Sequence, residues 1–289
     1  MSQTFTEAGV PVLVPDDAPI IDTPFDNAKI DALVNDPGEA PQIPLPPSCV
    51  VELPTGIMDL GGRIHTTATV RELTGEDEED MYRTDKTGNP LVRNDVAMTD
   101  KVLSRCVVEL GDTGKPASIT EIEAAFMGDR DALMLGVRRA TYGDTLETPI
   151  ICWSCKTELV AEIDLDEDIE VHTLPGRPRT FDVALRNGVT ATVRFIIGLD
   201  QRALADTDKV QSLADANTVI LNSCVVALNG VAPKPAALKK MGLGDRNKIL
   251  KKLEETQPGP KLRGVKVPCS TCDAENIVNI GMASLLQGS

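Results

Sequence analysis

Two Cys-x-x-Cys pairs, Cys152–Cys155 and Cys269–Cys272, constrain the fold of this chain more than any other feature. The first pair is flanked by two strand-like stretches, 150–152 and 157–159, so it is predicted to form the turn of a hairpin, a knuckle. A tetrahedral zinc ion needs four ligands, and one knuckle supplies two of them. The second pair lies far downstream, and its position has to be explained by the rest of the chain.

The chain repeats its own order of short motifs. The pentapeptide Thr-Ala-Thr-Val-Arg occurs at 67–71 and again at 190–194. The other matches are Leu-Pro-Thr-Gly (53–56) with Leu-Pro-Gly (174–176), Cys-Val-Val (106–108 and 224–226), Gly-Asp-Arg (128–130 and 244–246), and the two Cys-x-x-Cys pairs. Matches in one order at a nearly constant spacing indicate an internal duplication.

We therefore predict an α+β protein with two homologous domains. Each domain is expected to contain a β-hairpin and a set of helices, and to end in a zinc-knuckle hairpin. The first repeat is assigned to residues 49–168 and the second to residues 169–289. An extended, Pro-rich arm, residues 1–48, precedes them.

This duplication gives each repeat half of a metal site. If the two repeats pack about a pseudo-two-fold axis, Cys152, Cys155, Cys269 and Cys272 meet and close one tetrahedral site. With no open position, the expected cofactor is one structural Zn2+ per chain. The alternatives are two separate half-sites with other ligands, a redox pair or disulfide, and knuckles without metal. Redox chemistry is less favoured, because neither pair opens a helix that would stabilise a thiolate.

The first 48 residues differ from the remainder in carrying nine prolines and many acids. Proline at this density disfavours helices and regular sheets, and favours an extended chain. One interpretation is a disordered acidic tail. The other is an arm that becomes ordered by lying along a neighbouring subunit, which the apolar residues Val10, Val12, Leu13 and Val14 favour.

Local patterns predict the first elements of the first repeat. Strands are expected at 50–56 and 66–73, and a helix opens with the acids of 76–80. Apolar residues at three- and four-residue steps predict a helix over 95–110. A further helix over 119–127 is expected to stop at Gly128, where Asp129 caps the next helix, which runs to 142–143.

Several function classes lack support in the sequence. The net charge of −15 disfavours nucleic-acid and membrane partners. The N-terminus lacks a signal-peptide pattern, so a reducing cytoplasm is expected. No phosphate-binding glycine motif is present, and Asp164, Asp166 and Asp168 do not continue into a calcium loop. His65 and His172 lack a neighbouring nucleophile motif, so no enzyme and no small-molecule substrate are predicted.

Two residue groups have ordinary structural interpretations. Cys106 and Cys224 lie at matched positions amid Val and Leu, and are expected to be buried thiols. A group of lysines in the second repeat is expected to form a solvated helix face, with contact to an acidic surface as the alternative. These lysines are Lys239, Lys240, Lys248, Lys251, Lys252 and Lys261.

The ordered motifs of the first repeat resemble the T4-like bacteriophage baseplate protein family. They comprise residues 53–56, 69–78, 103–108, 127–131, 141–144, 152–155 and 163–165. The resemblance implies a structural, non-enzymatic component or assembly factor of a contractile-tail baseplate, with other tail or baseplate proteins as partners. The chain departs from the family in carrying two copies and a proline-rich arm.

Three functions are consistent with these observations. The first is a structural baseplate protein located in the virion and assembled in the bacterial host cytoplasm. The second is a tail-assembly chaperone that is not retained in the particle. The third is a zinc-dependent adaptor or nucleic-acid-binding regulator unrelated to tails, which the net charge of −15 disfavours.

Overall fold

The computed structural model describes residues 46–92 and 94–286, so the predictions for residues 1–45 lie outside the described residues. The strands are β1 (Ser48–Met58), β2 (Ile64–Arg71), β3 (Val107–Leu110), β4 (Thr145–Ile151), β5 (Glu158–Asp164), β6 (Val171–His172), β7 (Thr180–Ala184), β8 (Thr190–Arg194), β9 (Val225–Leu228), β10 (Gly259–Pro260), β11 (Val265–Pro268) and β12 (Glu275–Val278). The helices are α1 (Gly75–Met81), α2 (Asp95–Cys106), α3 (Ile119–Ala124), α4 (Met127–Tyr142), α5 (Gly198–Leu204), α6 (Leu213–Cys224), α7 (Pro235–Lys239), α8 (Leu243–Thr256) and α9 (Met282–Leu286). Mixed helix and sheet confirm the α+β class.

The first sheet along the chain is three-stranded and antiparallel, with the strand order β1-β2-β3. Its third strand corrects one prediction, because the helix expected over 95–110 ends at Cys106. Val107–Leu110 pairs with β2 instead, with Ala68 opposite Leu110 and a bulge after Thr69. A strand suits this valine-rich stretch better than a helix, because Val107 and Leu110 can be buried in the core while their backbone pairs with the sheet.

The second sheet, β7-β8-β9, has the same order and the same irregularity. Ala191 lies opposite Leu228, and the register shifts after Thr192, as it does after Thr69 in the first sheet. β9 likewise follows directly on α6. Two stretches of similar sequence thus take the same local structure, down to the bulge.

The same arginine–aspartate pair ties each sheet to the helix after it. The Arg71 guanidinium donates to both oxygens of Asp77, at 2.6 and 3.0 Å. Arg194 donates to both oxygens of Asp200 in the same way, at 2.6 and 2.9 Å. Bidentate pairs of this kind fix the orientation of both side chains.

The structure also corrects the predicted role of Gly128 and Asp129. The shorter helix α3 ends at Ala124, and both residues lie in the first turn of α4, whose N-cap is Phe126. The Asp129 carboxylate accepts hydrogen bonds from the backbone N–H groups of Thr55 and Gly56, at 2.7 and 3.1 Å. Burial raises the pKa of this carboxyl, and the two amide donors oppose that shift.

Two groups of buried apolar side chains form the core. The larger group combines residues between Leu53 and Ile169 with residues between Val265 and Leu285, and the smaller group combines Phe126 with residues between Val183 and Leu253. The last hairpin and α9 therefore pack on the first core. Cys106 and Cys224 are fully buried, as predicted, and burial raises the pKa of each thiol to about 12.

Gly128 is required by a long-range contact. A Cβ atom at this position would lie 1.8 Å from the carbonyl oxygen of Pro258, which is backbone and cannot move aside alone. For a Cβ at Gly244 the three nearest atoms all belong to the guanidinium of Arg186, the far end of an exposed and flexible side chain.

We predict that Gly128→Ala lowers the free energy of unfolding by about 2 kcal/mol or more, because overpacking forces the backbone apart. The matched variant Gly244→Ala is expected to change it by less than about 0.5 kcal/mol. Urea denaturation of both variants measures the difference. Equal effects of the two substitutions would contradict the proposed contact.

Candidate metal centre

Two short hairpins carry the four predicted cysteine ligands. β4 pairs with β5 and β11 pairs with β12, both antiparallel, and a Cys-x-x-Cys turn joins each pair. In the first turn the Cys152 N–H donates to Thr157 O and the Lys156 N–H donates to Cys152 O, each at 3.0 Å. The second turn repeats this pattern, with Cys269 and Asp273 as the donors at 2.9 Å.

The residue after each second cysteine has an unusual backbone conformation. Lys156 has φ 61° and Asp273 has φ 56°, in the left-handed region that favours glycine. Neither residue is glycine, so the hairpin hydrogen bonds hold both in place against a local preference. The two turns share this feature as well as their hydrogen bonds.

The structure brings all four predicted cysteines together. Their sulfur atoms all lie within 4.8 Å of one another. The Sγ atoms of Cys152 and Cys272 are 3.8 Å apart, and those of Cys155 and Cys269 are 3.7 Å apart. A tetrahedral zinc site with Zn–S bonds of about 2.3 Å requires sulfurs about 3.8 Å apart. The four free thiols therefore fit a metal ion such as zinc.

The pKa values of Cys152, Cys155 and Cys272 are shifted in different directions. The pKa of Cys155 is lowered to about 6, first by the Thr157 hydroxyl, 3.3 Å from the sulfur. The pKa of Cys152 is also lowered, mainly by the Cys155 backbone N–H. The pKa of Cys272 is instead raised to about 11: the Ala274 N–H lowers it, but the neighbouring cysteine side chains outweigh that donor. Thiols this close cannot all ionise unless a cation offsets their repulsion.

Polar contacts outside the sulfur cluster join the two hairpins. The indole N–H of Trp153 donates to the carbonyl of Glu275 at 2.9 Å, and its backbone N–H donates to the Asn276 side chain at 3.2 Å. Asn276 is 4% exposed, and its amide also donates to Val267 O and Ala274 O. Neither Trp153 nor Asn276 is among the site residues predicted from the sequence. A tryptophan between two ligand cysteines was the available signal for one, and nothing in the sequence pointed to Asn276.

An open apolar groove of about 510 Å³ lies beside the metal centre. It is lined by Ile150, Ile151, Trp153, Glu275, Asn276 and Ile277. Ile151, Trp153 and Ile277 are each about two-thirds exposed. Large apolar side chains clustered on a surface are typical of a site that binds another protein.

Residues set aside in the sequence have structural partners. The His65 ring bonds Asp59 at 2.8 Å, and the His172 ring lies 3.1 Å from the carbonyl of Gln257. The Asp164 carboxylate accepts from the backbone N–H groups of Asp166 and Glu167 and so closes a turn. These contacts give His65, His172 and Asp164 structural roles that require no catalysis. The absence of enzymatic activity stays a prediction.

Asn276 is predicted to stabilise the joined hairpins. Asn276→Ala leaves the buried Trp153 N–H without its acceptor and removes the side-chain hydrogen bonds to Val267 O and Ala274 O, so we expect the free energy of unfolding to fall by about 2 kcal/mol. Asn279→Ala is the matched control on the next residues of the same hairpin, because Asn279 accepts one exposed hydrogen bond, from Gly264. It is expected to cost less than about 1 kcal/mol.

The fluorescence of Trp153, the single tryptophan of the chain, reports unfolding at this centre directly. Equal losses in Asn276→Ala and Asn279→Ala would contradict a specific role for the buried amide.

Comparison with known proteins identifies the family. The model of the family described as T4 bacteriophage base plate protein matches residues 51–287, which includes both hairpins and all four cysteines. No curated protein matches the chain, and no solved structure does. Among the described helices, none is long and apolar enough to cross a membrane. The chain belongs to the T4 bacteriophage base plate protein family, which supports a structural role in a phage baseplate and implies a location in the virion tail.

Proposed function

We propose that the protein is a structural component of a contractile-tail baseplate, is stabilised by one structural zinc ion, and contacts neighbouring tail subunits. The match of the baseplate family over residues 51–287 carries this proposal. The proposed role is mechanical, with no enzymatic step. The protein would be made and assembled into tails in the cytoplasm of the bacterial host.

The zinc assignment rests on the chemistry of the donor set. Cys152, Cys155, Cys269 and Cys272 provide four sulfurs and leave no open position for a substrate or an activated water, so the ion would be structural. It would connect two hairpins that are more than 100 residues apart in sequence. Since metal binding adds to folding free energy, the ion would hold the last hairpin on the first core.

We also propose that the two halves are homologous domains, with the first assigned to 49–168 and the second to 169–289. The shared sheet register, the paired bulges and the two Arg–Asp bridges support this. A further match lies in the buried arginines: Arg130 donates to Ile122 O and Arg246 donates to Leu238 O, each spanning eight residues. A fused pair of this kind would replace a dimer of single-domain subunits.

The groove beside the metal centre supports contact with other tail proteins. Its exposed residues Ile151, Trp153 and Ile277 lie on the two hairpins that the ion would hold together. Aromatic and aliphatic side chains on a fixed scaffold are the usual anchors of protein interfaces. We therefore propose this groove as a surface that contacts a neighbouring tail protein.

Particle composition tests the proposed role. We expect mass spectrometry of purified phage-like particles to detect the protein at a fixed ratio to the other baseplate proteins. A tail-assembly chaperone would instead be abundant in the infected or induced cell lysate and depleted from particles. Detection in the lysate together with absence from particles would overturn the structural assignment in favour of the chaperone.

Metal content tests the zinc assignment. We expect one zinc per purified chain, and none when all four cluster cysteines are changed to serine. Loss of the ion should also lower the free energy of unfolding by several kcal/mol, because thiolate binding of zinc contributes to folding. Cys49→Ser is the matched control, since Cys49 is a half-buried thiol outside the cluster. Equal zinc content in the unmodified and four-serine proteins would refute the site.

A further inference from the structure

The helices α7 and α8 present a concentration of exposed lysines. We call these lysines the basic face, and they are Lys239, Lys240, Lys248, Lys251 and Lys252. The end of α7 lies beside the start of α8, because the buried Arg246 guanidinium donates to the Leu238 carbonyl at 3.0 Å. Lys248, Lys251 and Lys252 follow at three- and four-residue steps, which places them on one side of α8.

One of these lysines has a carboxylate partner among the described residues, and the other four have none. The Lys251 ammonium lies 3.8 Å from Glu255, and both side chains are more than half exposed. The Lys248 ammonium donates to a neutral group, the carbonyl of Ala184. Lys248 and Lys252 stand one helical turn apart, so their like charges repel each other. Negative charge placed against this face would therefore stabilise it.

The hairpin formed by β4 and β5 carries the opposite charge on its outer side. Glu147 lies directly opposite Glu162 in the sheet, and Glu158 lies four residues before Glu162 and so on the same side of the strand. All three are exposed, and we call them the acidic face. Among the described residues, no basic side chain pairs with them within 4.0 Å. Two carboxylates directly opposite each other repel, so positive charge would stabilise this face.

The hairpin formed by β11 and β12 balances its charges internally. Its Lys266 ammonium pairs with the Glu275 carboxylate at 2.9 Å. When the two Cys-x-x-Cys pairs are aligned, Glu275 falls on Glu158 and Lys266 falls on Pro149. The first hairpin therefore keeps the acid and lacks the lysine, which leaves its acidic face without a counter-charge.

The acidic face and the basic face complement each other in size as well as in charge. Glu158 and Glu162 are about 13 Å apart along the strand, since each residue of a strand rises about 3.3 Å. Lys248 and Lys252 are about 6 Å apart along the helix axis, and their flexible side chains widen the reach of the ammonium groups. Val160 is 57% exposed between the two glutamates, and the aliphatic stems of lysines can cover it. Among the described residues, no ion pair joins the two faces within one chain.

We propose that the acidic face of one copy of this chain binds the basic face of a second copy. The two surfaces joined are different, so a pair of copies keeps one free face of each kind, and the contact builds a closed ring or an open row. The association would weaken as salt screens the opposite charges. This contact goes beyond the proposed baseplate role, and its test in solution does not depend on that role.

Charge-reversed variants test the contact by sedimentation velocity in low salt. The acid-reversed variant is Glu147→Lys, Glu158→Lys and Glu162→Lys. The base-reversed variant is Lys239→Glu, Lys240→Glu, Lys248→Glu and Lys252→Glu. We expect the unmodified protein to self-associate, and each variant alone to do so at least about tenfold more weakly, because its two faces then carry the same sign. An equimolar mixture of the two variants should regain the association, since every face then meets its opposite.

A control variant separates the specific contact from the overall charge. It changes four exposed basic residues elsewhere and so shifts the net charge as much as the base-reversed variant does: Arg63→Glu, Lys86→Glu, Lys115→Glu and Lys209→Glu. We expect it to associate within about threefold of the unmodified protein. All substituted residues are exposed, so the variants should fold, and the fluorescence of Trp153 during urea denaturation checks this.

Three results would overturn the proposal. They are an unmodified protein that stays monomeric at about 100 µM, reversed variants that associate as strongly as the unmodified protein, and a mixture of variants that does not regain association.

Zero-length cross-linking identifies the two surfaces directly. A carbodiimide joins a carboxylate to an amine only when the two touch, and it is applied to a mixture of chains with light and heavy nitrogen. We expect links from Glu147, Glu158 and Glu162 to the basic-face lysines that join light chains to heavy chains, and these should fall severalfold in about 0.5 M NaCl. Links confined to one isotope, or spread evenly over all exposed lysines, would contradict a contact between these faces of two copies.

Discussion

The convergence of four cysteine sulfurs from two distant hairpins is the constraint on which the arrangement of this chain depends. The β11–β12 hairpin lies near the end of the sequence, yet Val265, Val267 and Val278 are buried in the core built by the first half. Apolar burial alone brings the hairpins near each other, while a shared ion would fix their distance and angle. The Trp153–Asn276 contacts add directional bonds to the same junction. Packing, polar contacts and metal chemistry therefore favour the same geometry.

The helix α4 connects this junction to the rest of the fold. Its first turn touches the Pro258–Gly259 backbone, and the Asp129 carboxylate in that turn accepts the backbone N–H groups of Thr55 and Gly56 in β1. The next residue, Arg130, forms a buried ion pair with Asp100 at 2.7 Å, and Asp100 also pairs with Arg202 from the second half of the sequence. Removing one member of a buried pair leaves an uncompensated charge, so such contacts strongly disfavour alternative arrangements. The two proposed repeats therefore interlock and do not form two separable units.

The sequence predicted what depends on local or repeated patterns. The two knuckles, the four-cysteine cluster, the helix at the acids of 76–80 and the buried thiols all follow from spacing and composition. The strand Val107–Leu110 was missed because its valines continue the helical spacing of α2, and only pairing with β2 decides the outcome. The local sequence predicts Gly128 as a helix stop, because its contact partner in the structure, Pro258, lies 130 residues away in sequence. Asn276 carries no local signal, because its role depends on a second hairpin.

The central claim is that one ion is shared by the two hairpins, and X-ray absorption at the zinc edge of the purified protein tests it most directly. A shared ion predicts four sulfur neighbours at about 2.3 Å around each zinc, with no directly bound nitrogen or oxygen. Two sulfurs together with lighter ligands would show that each knuckle binds metal separately. That result would contradict the shared site, and the packing of the hairpins would then rest on the apolar core and the Trp153–Asn276 contacts alone.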